Sequence, residues 1–263
     1  MISVKDVYML LDEKYPYCIQ EDYDNSGIMA DCGKSIDKIV ISLDITNSVV
    51  DFAVSQGAQL IVSHHPIIFH PVRSISYNSP LQNLLSSGIS AISAHTNFDI
   101  ADGGVNDALA NKLGLKNIEP VFLVSEKNVK GVIRKNYIGR AGNLLDSMLP
   151  AEFAAYVTDK LRGRTSAEFV EGGRPVRRVA VGGGACGEFI FECNENRIDA
   201  FVTGECKHHE LLYAKENGIT LIAAGHYATE NVALEALAST LQNGFPDVEV
   251  IITRIDDPVS FTE

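Results

Sequence analysis

The chain has 263 residues, 46% hydrophobic and 21% charged, with a formal net charge of −12. That length suits one large α/β domain or two smaller lobes with a sizeable core, and the acidic balance argues against sequence-independent binding to DNA or RNA. Five cysteines without a CxxC spacing exclude a zinc ribbon, the N-terminus does not read as a signal peptide, and no run of about 18 apolar residues suggests a membrane span, so a cytoplasmic, reducing setting is expected.

Val4, Val7, Leu10 and Leu11 recur at helical spacing behind Ser3 as N-cap, which predicts a helix as far as Tyr15. Residues 38–43 read as a buried strand, 46–56 as a helix closed by Gly57, and 59–63 as a second strand. A short helix over 80–87, a strand over 89–94 and a helix over 104–112 complete a first set. The second set has strands at 176–181, 199–203, 219–223 and 248–253. Its helical patterns cover 187–194, 208–216 and 229–242. Strand–helix alternation predicts an α/β fold whose sheets are mostly parallel or mixed and covered by helices.

The polar, glycine-containing stretch 125–142 is the expected lobe boundary. Residues 1–124 with 224–263 then form one lobe and 125–223 the other. The two sets share a rhythm, because Asp44 and Gly184 end their first strands and Ser63 and Thr203 their second. Two related lobes are the natural reading.

All seven histidines fall in short clusters. His64 and His65, with His70 nearby, follow one strand; His95-Thr96-Asn97-Phe98-Asp99 follows the next. Glu205 with His208 and His209, and His226 with Glu230, follow strands of the second set. Ligand sites of open α/β sheets lie beyond the carboxyl ends of the strands, and imidazole with carboxylate suits Zn, Fe, Mn, Co or Ni. His226 and Glu230 sit four apart at a helix start and share a face. Asp99 is either a ligand or a turn aspartate leading into Asp102-Gly103-Gly104, and His95 and Asn97 are candidates for orienting ligands or meeting substrate. Glu205 is the candidate for proton transfer to or from an activated water. His208 or His209 is a candidate for holding substrate phosphate or joining the metal shell; His70 reads as a structural or surface residue rather than a ligand. Gly182-Gly183-Gly184 lacks P-loop and dinucleotide spacing, so a tight turn is favoured over a phosphate cradle.

Together these segments resemble the Nif-three-like family, also labelled GTP cyclohydrolase I type 2 homologues. The resemblance rests on Asp24-Asn25-Ser26-Gly27, Ser42-Leu43-Asp44-Ile45-Thr46, Ser63-His64-His65-Pro66, His95 to Asp99, Gly103-Gly104-Val105-Asn106-Asp107, Thr203-Gly204-Glu205 with His208-His209, and Gly225 to Glu230. It implies two α/β lobes with a metal site in the cleft between them. Two divalent ions are implied there, on His64, His65, Asp99, His226 and Glu230, with a metal-activated water acting on a nucleotide or related small molecule. It also implies a homohexamer, with no nucleic acid or membrane as partner. Some relatives carry an inserted middle domain that this chain is too short to hold. A non-catalytic metal-binding, metal-delivery or regulatory protein is the competing expectation.

Overall fold

The computed structural model describes residues 2–129, 131–161 and 167–253. They form two compact units, one running to Gly104 and resuming at Leu234, the other spanning Val105–Ala233.

In chain order, α1 (Val4–Lys14) opens on a capping box in which Ser3 and Asp6 bond each other's backbone N–H. It is followed by β1 (Gly27–Ala30), β2 (Lys38–Ser42), α2 (Asn47–Gln56), β3 (Leu60–Ser63), α3 (Pro80–Ser86), β4 (Ser90–Ser93) and the single turn α4 (Thr96–Ile100). The second unit begins with α5 (Val105–Lys112). It continues through the antiparallel pair β5 (Lys116–Val129) and β6 (Val132–Met148), then α6 (Pro150–Leu161), β7 (Glu168–Val170) and β8 (Val176–Gly182). After a 3-10 turn at Gly187–Glu192 come β9 (Ala200–Thr203), α7 (His208–Glu216), β10 (Thr220–Ala223) and α8 (His226–Glu230). The chain then returns to the first unit for α9 (Leu234–Gly244) and β11 (Glu249–Ile252).

Strand order in the first sheet is β1-β4-β3-β2-β11, and in the second β5-β6-β8-β9-β10-β7. The central strands β2, β3 and β4 run parallel, as do β8, β9 and β10, each set with an antiparallel edge strand on its last member. Their near-continuous apolar runs match burial on both faces: Ile39, Ile41, Leu60, Val62, Val179, Val181 and Val202 are fully buried. Val49, Val50 and Ala53 of α2 and Leu84 of α3 pack with Val40 and Ile61 of the first sheet. Leu109 of α5 and Phe153 and Val157 of α6 pack with Val179, Val181 and Ile222 of the second.

The mixed α/β class expected from the alternation is the one observed, and the helix–strand order α1 to α5 recurs, with a 3-10 turn for α2, from α6 to α9. The register makes Ser63 the counterpart of Thr203, because Ser42 and Ser93 flank the first and Gly182 and Ala223 the second. Asp44 therefore corresponds to Gly184, and His65 to Glu205.

Some expectations need correcting. Residues 125–129 and 132–142 are no linker: they lie in the β5–β6 ladder of the second sheet, polar because much of its outer end faces solvent. The two compact units divide at Gly104/Val105 and Ala233/Leu234. The physical reason is that β5 pairs along β6, and β10 runs directly into α8, so His226 and Glu230 stay with the second sheet. The long helix expected over 229–242 is broken by a 3-10 turn at Asn231–Ala233, where the chain changes unit. The helix expected over 187–194 is the 3-10 turn named above, a geometry suited to short pieces. Residues 254–263 of the expected first lobe lie outside the described residues. Among the described residues, no helix is long and apolar enough to cross a membrane.

Candidate functional site

In the first unit, β3 carries the chain directly into His64 and His65. Neighbouring side chains on a strand point to opposite faces, but here the chain turns after Ser63, whose hydroxyl donates to the His65 carbonyl at 2.7 Å. The two imidazole centroids end 4.9 Å apart. His95, at the exit of β4, brings a third ring 5.2 Å from that of His64. One potential ligand atom from each of His64, His65 and His95 lies within 4.8 Å of the others.

Each ring is held through Nδ1. His64 Nδ1 lies 2.8 Å from the Ala94 carbonyl, His65 Nδ1 2.8 Å from Asp44 Oδ1, and His95 Nδ1 2.7 Å from Asp24 Oδ1. A carbonyl or carboxylate only accepts, so Nδ1 carries the proton and a neutral ring presents Nε2 as its lone-pair nitrogen. Oxygen on one ring nitrogen and lone pair on the other is the arrangement that metal-binding histidines adopt.

Asp99, on α4, is buried, and its Oδ1 stands 3.6 Å from His64 Nε2. That is too long for a hydrogen bond. It is near the ~3.4 Å that separates two ligands each ~2.1 Å from one tetrahedral ion. Fully buried Phe98 packs against Tyr15 at 4.5 Å between centroids and fixes this turn. Asn97, also fully buried, accepts from the His95 backbone N–H and donates to the Tyr15 carbonyl, so it secures the loop carrying His95.

Asp24 is a hub that the sequence motif contained but whose role only the fold reveals. Its side chain is wholly sheltered. Oδ2 accepts from the Thr96 N–H, the Thr96 hydroxyl and the Ser26 hydroxyl, while Oδ1 meets His95. Burial by itself pushes the carboxyl pKa up; the hydrogen bonds from His95, Thr96 and Ser26, with attraction to His95, outweigh it and hold the group well below the usual carboxylate range.

In the second unit, β10 ends at Ala223 and α8 begins on His226. His226 Nδ1 lies 2.8 Å from Glu205 Oε1, and Nε2 lies 3.1 Å from Glu230 Oε2. Glu230 is 4% exposed whereas Glu205 is on the surface. The glycine loop after β8 does not present a phosphate cradle. The Gly183 N–H donates to Asn106 Oδ1 at 2.8 Å and the Gly184 N–H to Thr229 Oγ1 at 3.0 Å. Asn106 and Gly183 had a visible signal, a Gly-Gly-Val-Asn-Asp string and a triple glycine, but no sequence feature pairs them.

His208 and His209 open α7 on the surface, the latter stacked on Phe191. Among the described residues neither joins a group of three metal-donor side chains. His70 is exposed and packs edge-on against Phe69. Burial, then Glu168 and Glu210, push the Cys206 thiol up to about 11, so it stays protonated at neutral pH and is a poor nucleophile.

The profile of the Duf34/NIF3 (NGG1p interacting factor 3) family matches residues 2–258. A Clostridium acetobutylicum protein named GTP cyclohydrolase 1 type 2 homolog is 29% identical over 246 residues, covering 92% of this chain and 90% of its own. A Nostoc protein of the same name is 31% identical over 210 residues, 78% of each chain. The crystal structure of a Staphylococcus aureus protein superposes with a TM-score of 0.91 at 28% identity, covering 99% of both chains.

Proposed function

The chain belongs to the Duf34/NIF3 family, and on that premise we propose that it binds two divalent metal ions and is a metal-dependent hydrolase of a nucleotide or related heterocyclic small molecule. One ion would be held by His64, Asp99 and Glu230, the other by His65, His226 and Glu230. The observation that carries this reading is the common state of the rings. His64, His65 and His226 each have Nδ1 on an oxygen, which leaves Nε2 as the ligand nitrogen. Within each unit a carboxylate oxygen stands near such a nitrogen, Asp99 at 3.6 Å and Glu230 at 3.1 Å. Mixed imidazole and carboxylate donors fit Zn, Fe, Mn, Co or Ni.

When bound, the ions supply Lewis acidity and a water acidified toward neutral pH as nucleophile. The protein's own part is to fix the tautomers: Ala94, Asp44 and Glu205 orient the three ring ligands, and Asp24 orients His95 beside them. The relatives' name, GTP cyclohydrolase 1 type 2 homolog, supports a nucleotide as the substrate class. Assembly as a homohexamer belongs to the same reading.

Elemental analysis of gently purified protein, followed by a nucleotide and heterocycle panel with apo and metal-loaded protein, tests the proposal. Two metal equivalents and metal-dependent turnover are expected. Metal uptake without turnover would remove the hydrolase half and leave a storage, delivery or regulatory protein. Glu205 gives a finer test. Glu205→Gln keeps an acceptor for His226 Nδ1, so metal affinity is expected to hold while turnover falls through loss of proton transfer. Glu205→Ala removes the ring's anchor and is expected to lower affinity about 10- to 100-fold. Full turnover in the glutamine variant would confine Glu205 to positioning.

A further inference from the structure

We propose that Gly184 is a positioning residue for Glu230, its missing side chain being the space in which the carboxylate stands beside His226; the proposal rests on reading Glu230 as a metal ligand. β8 ends at Gly182, and Gly184 turns the chain with φ of +64°. A Cβ at Gly184 would lie 2.1 Å from Glu230 Oε1 and 3.2 Å from His226 Nε2. Glu230 Oε2 is the oxygen 3.1 Å from His226 Nε2. The two carboxylate oxygens are therefore confined separately, one by the imidazole and one by a bare Cα.

The loop itself is pinned from several sides. The Gly184 N–H donates to Thr229 Oγ1 at 3.0 Å. Its carbonyl accepts from the N–H groups of Gly204 at 2.9 Å and Glu205 at 3.1 Å, and from the Thr203 hydroxyl at 3.2 Å. Gly183 is tied to Asn106, and Asn106, Thr203 and Thr229 are all buried. A methyl group at position 184 would thus meet a fixed loop on one side and the far end of a rotatable side chain on the other. The carboxylate is what moves. The Gly184 carbonyl also fixes the backbone of Glu205, whose side chain orients His226, so one residue governs both partners.

The test measures Zn2+ affinity of the full chain by competition with a chromophoric chelator. Gly184→Ala is expected to bind about 10- to 100-fold more weakly. Gly173→Ala is the control: it lies in the same unit with φ of +80° and nothing within 4 Å of its Cβ position, so it carries the left-handed backbone strain without the contact. It should match the wild type. Wild-type affinity in Gly184→Ala, or an equal fall in both glycine variants, overturns the proposal. Should Gly184→Ala fail to fold, Thr229→Val, which removes the anchor of the Gly184 N–H, is expected to weaken binding and Thr229→Ser to retain it. Wild-type affinity in the valine variant overturns the proposal. Glu230→Gln separates the two layers. Loss of metal there with retention in Gly184→Ala sinks only the positioning role, whereas retention in Glu230→Gln sinks the ligand assignment and this proposal with it.

Discussion

Glu230→Gln is expected to lower affinity for divalent metal by more than about 100-fold, past the 10- to 100-fold typical of residues that only support a ligand, and to abolish turnover on any substrate the panel finds. Glu230 is 4% exposed, so its charge acts with little solvent screening. Glutamine keeps the shape but loses the negative charge, and its amide nitrogen has no lone pair to offer a cation. That nitrogen can instead donate to His226 Nε2, which the carboxylate oxygen now faces at 3.1 Å. The fold should tolerate the change, so the loss is read as a metal defect. The check is the metal-to-protein ratio beside the urea midpoint of the metal-free protein. A variant that retains wild-type metal content would remove Glu230 from the ligand set.

Asp24→Asn should act on stability instead. The wild-type carboxylate accepts five hydrogen bonds, from His95, Thr96 twice, Ser26 and the Asn25 backbone N–H. An amide must turn an NH2 group toward at least one of those donors and forfeits the attraction to His95. Depriving a buried donor of its charged acceptor costs about 1.5–3 kcal/mol. Urea unfolding of the metal-free protein at neutral pH measures it, and a loss below about 1 kcal/mol, the worth of a surface pair, would refute the hub. The pH dependence has a definite sign. The folded pKa is depressed, so the contribution is complete above the unfolded value of about 3.9 and is lost as pH falls below it. The gap between wild type and Asp24→Asn should therefore be widest near neutral pH and narrow in acid.

Much of the fold was legible because burial on two faces leaves a mark in one dimension. The runs at 38–43, 59–63 and 219–223 are mostly apolar, and each is an interior strand of its sheet. Ser3 caps the helix it precedes. The β5–β6 ladder was not legible, since its outer end faces solvent and reads like a linker. Nor was α6, whose apolar positions Phe153, Ala154 and Val157 face the second sheet but drew no reading from the sequence.

The candidate site divides in the same way. Residue type and strand-exit position were enough to single out His64, His65, His95, Asp99, His226 and Glu230, because metal chemistry restricts donors to a few side chains and α/β sheets gather ligands at one end of their strands. The partners of those residues were not readable. Asp24 meets His95 across 71 positions, and Gly184 gives room to Glu230 across 46. Ring tautomers, the sheltering of Asp24 and the space beside Gly184 are properties of atoms brought close by packing. No local pattern encodes them, since hydrogen bonds and excluded volume act over a few ångströms of space and not along the chain.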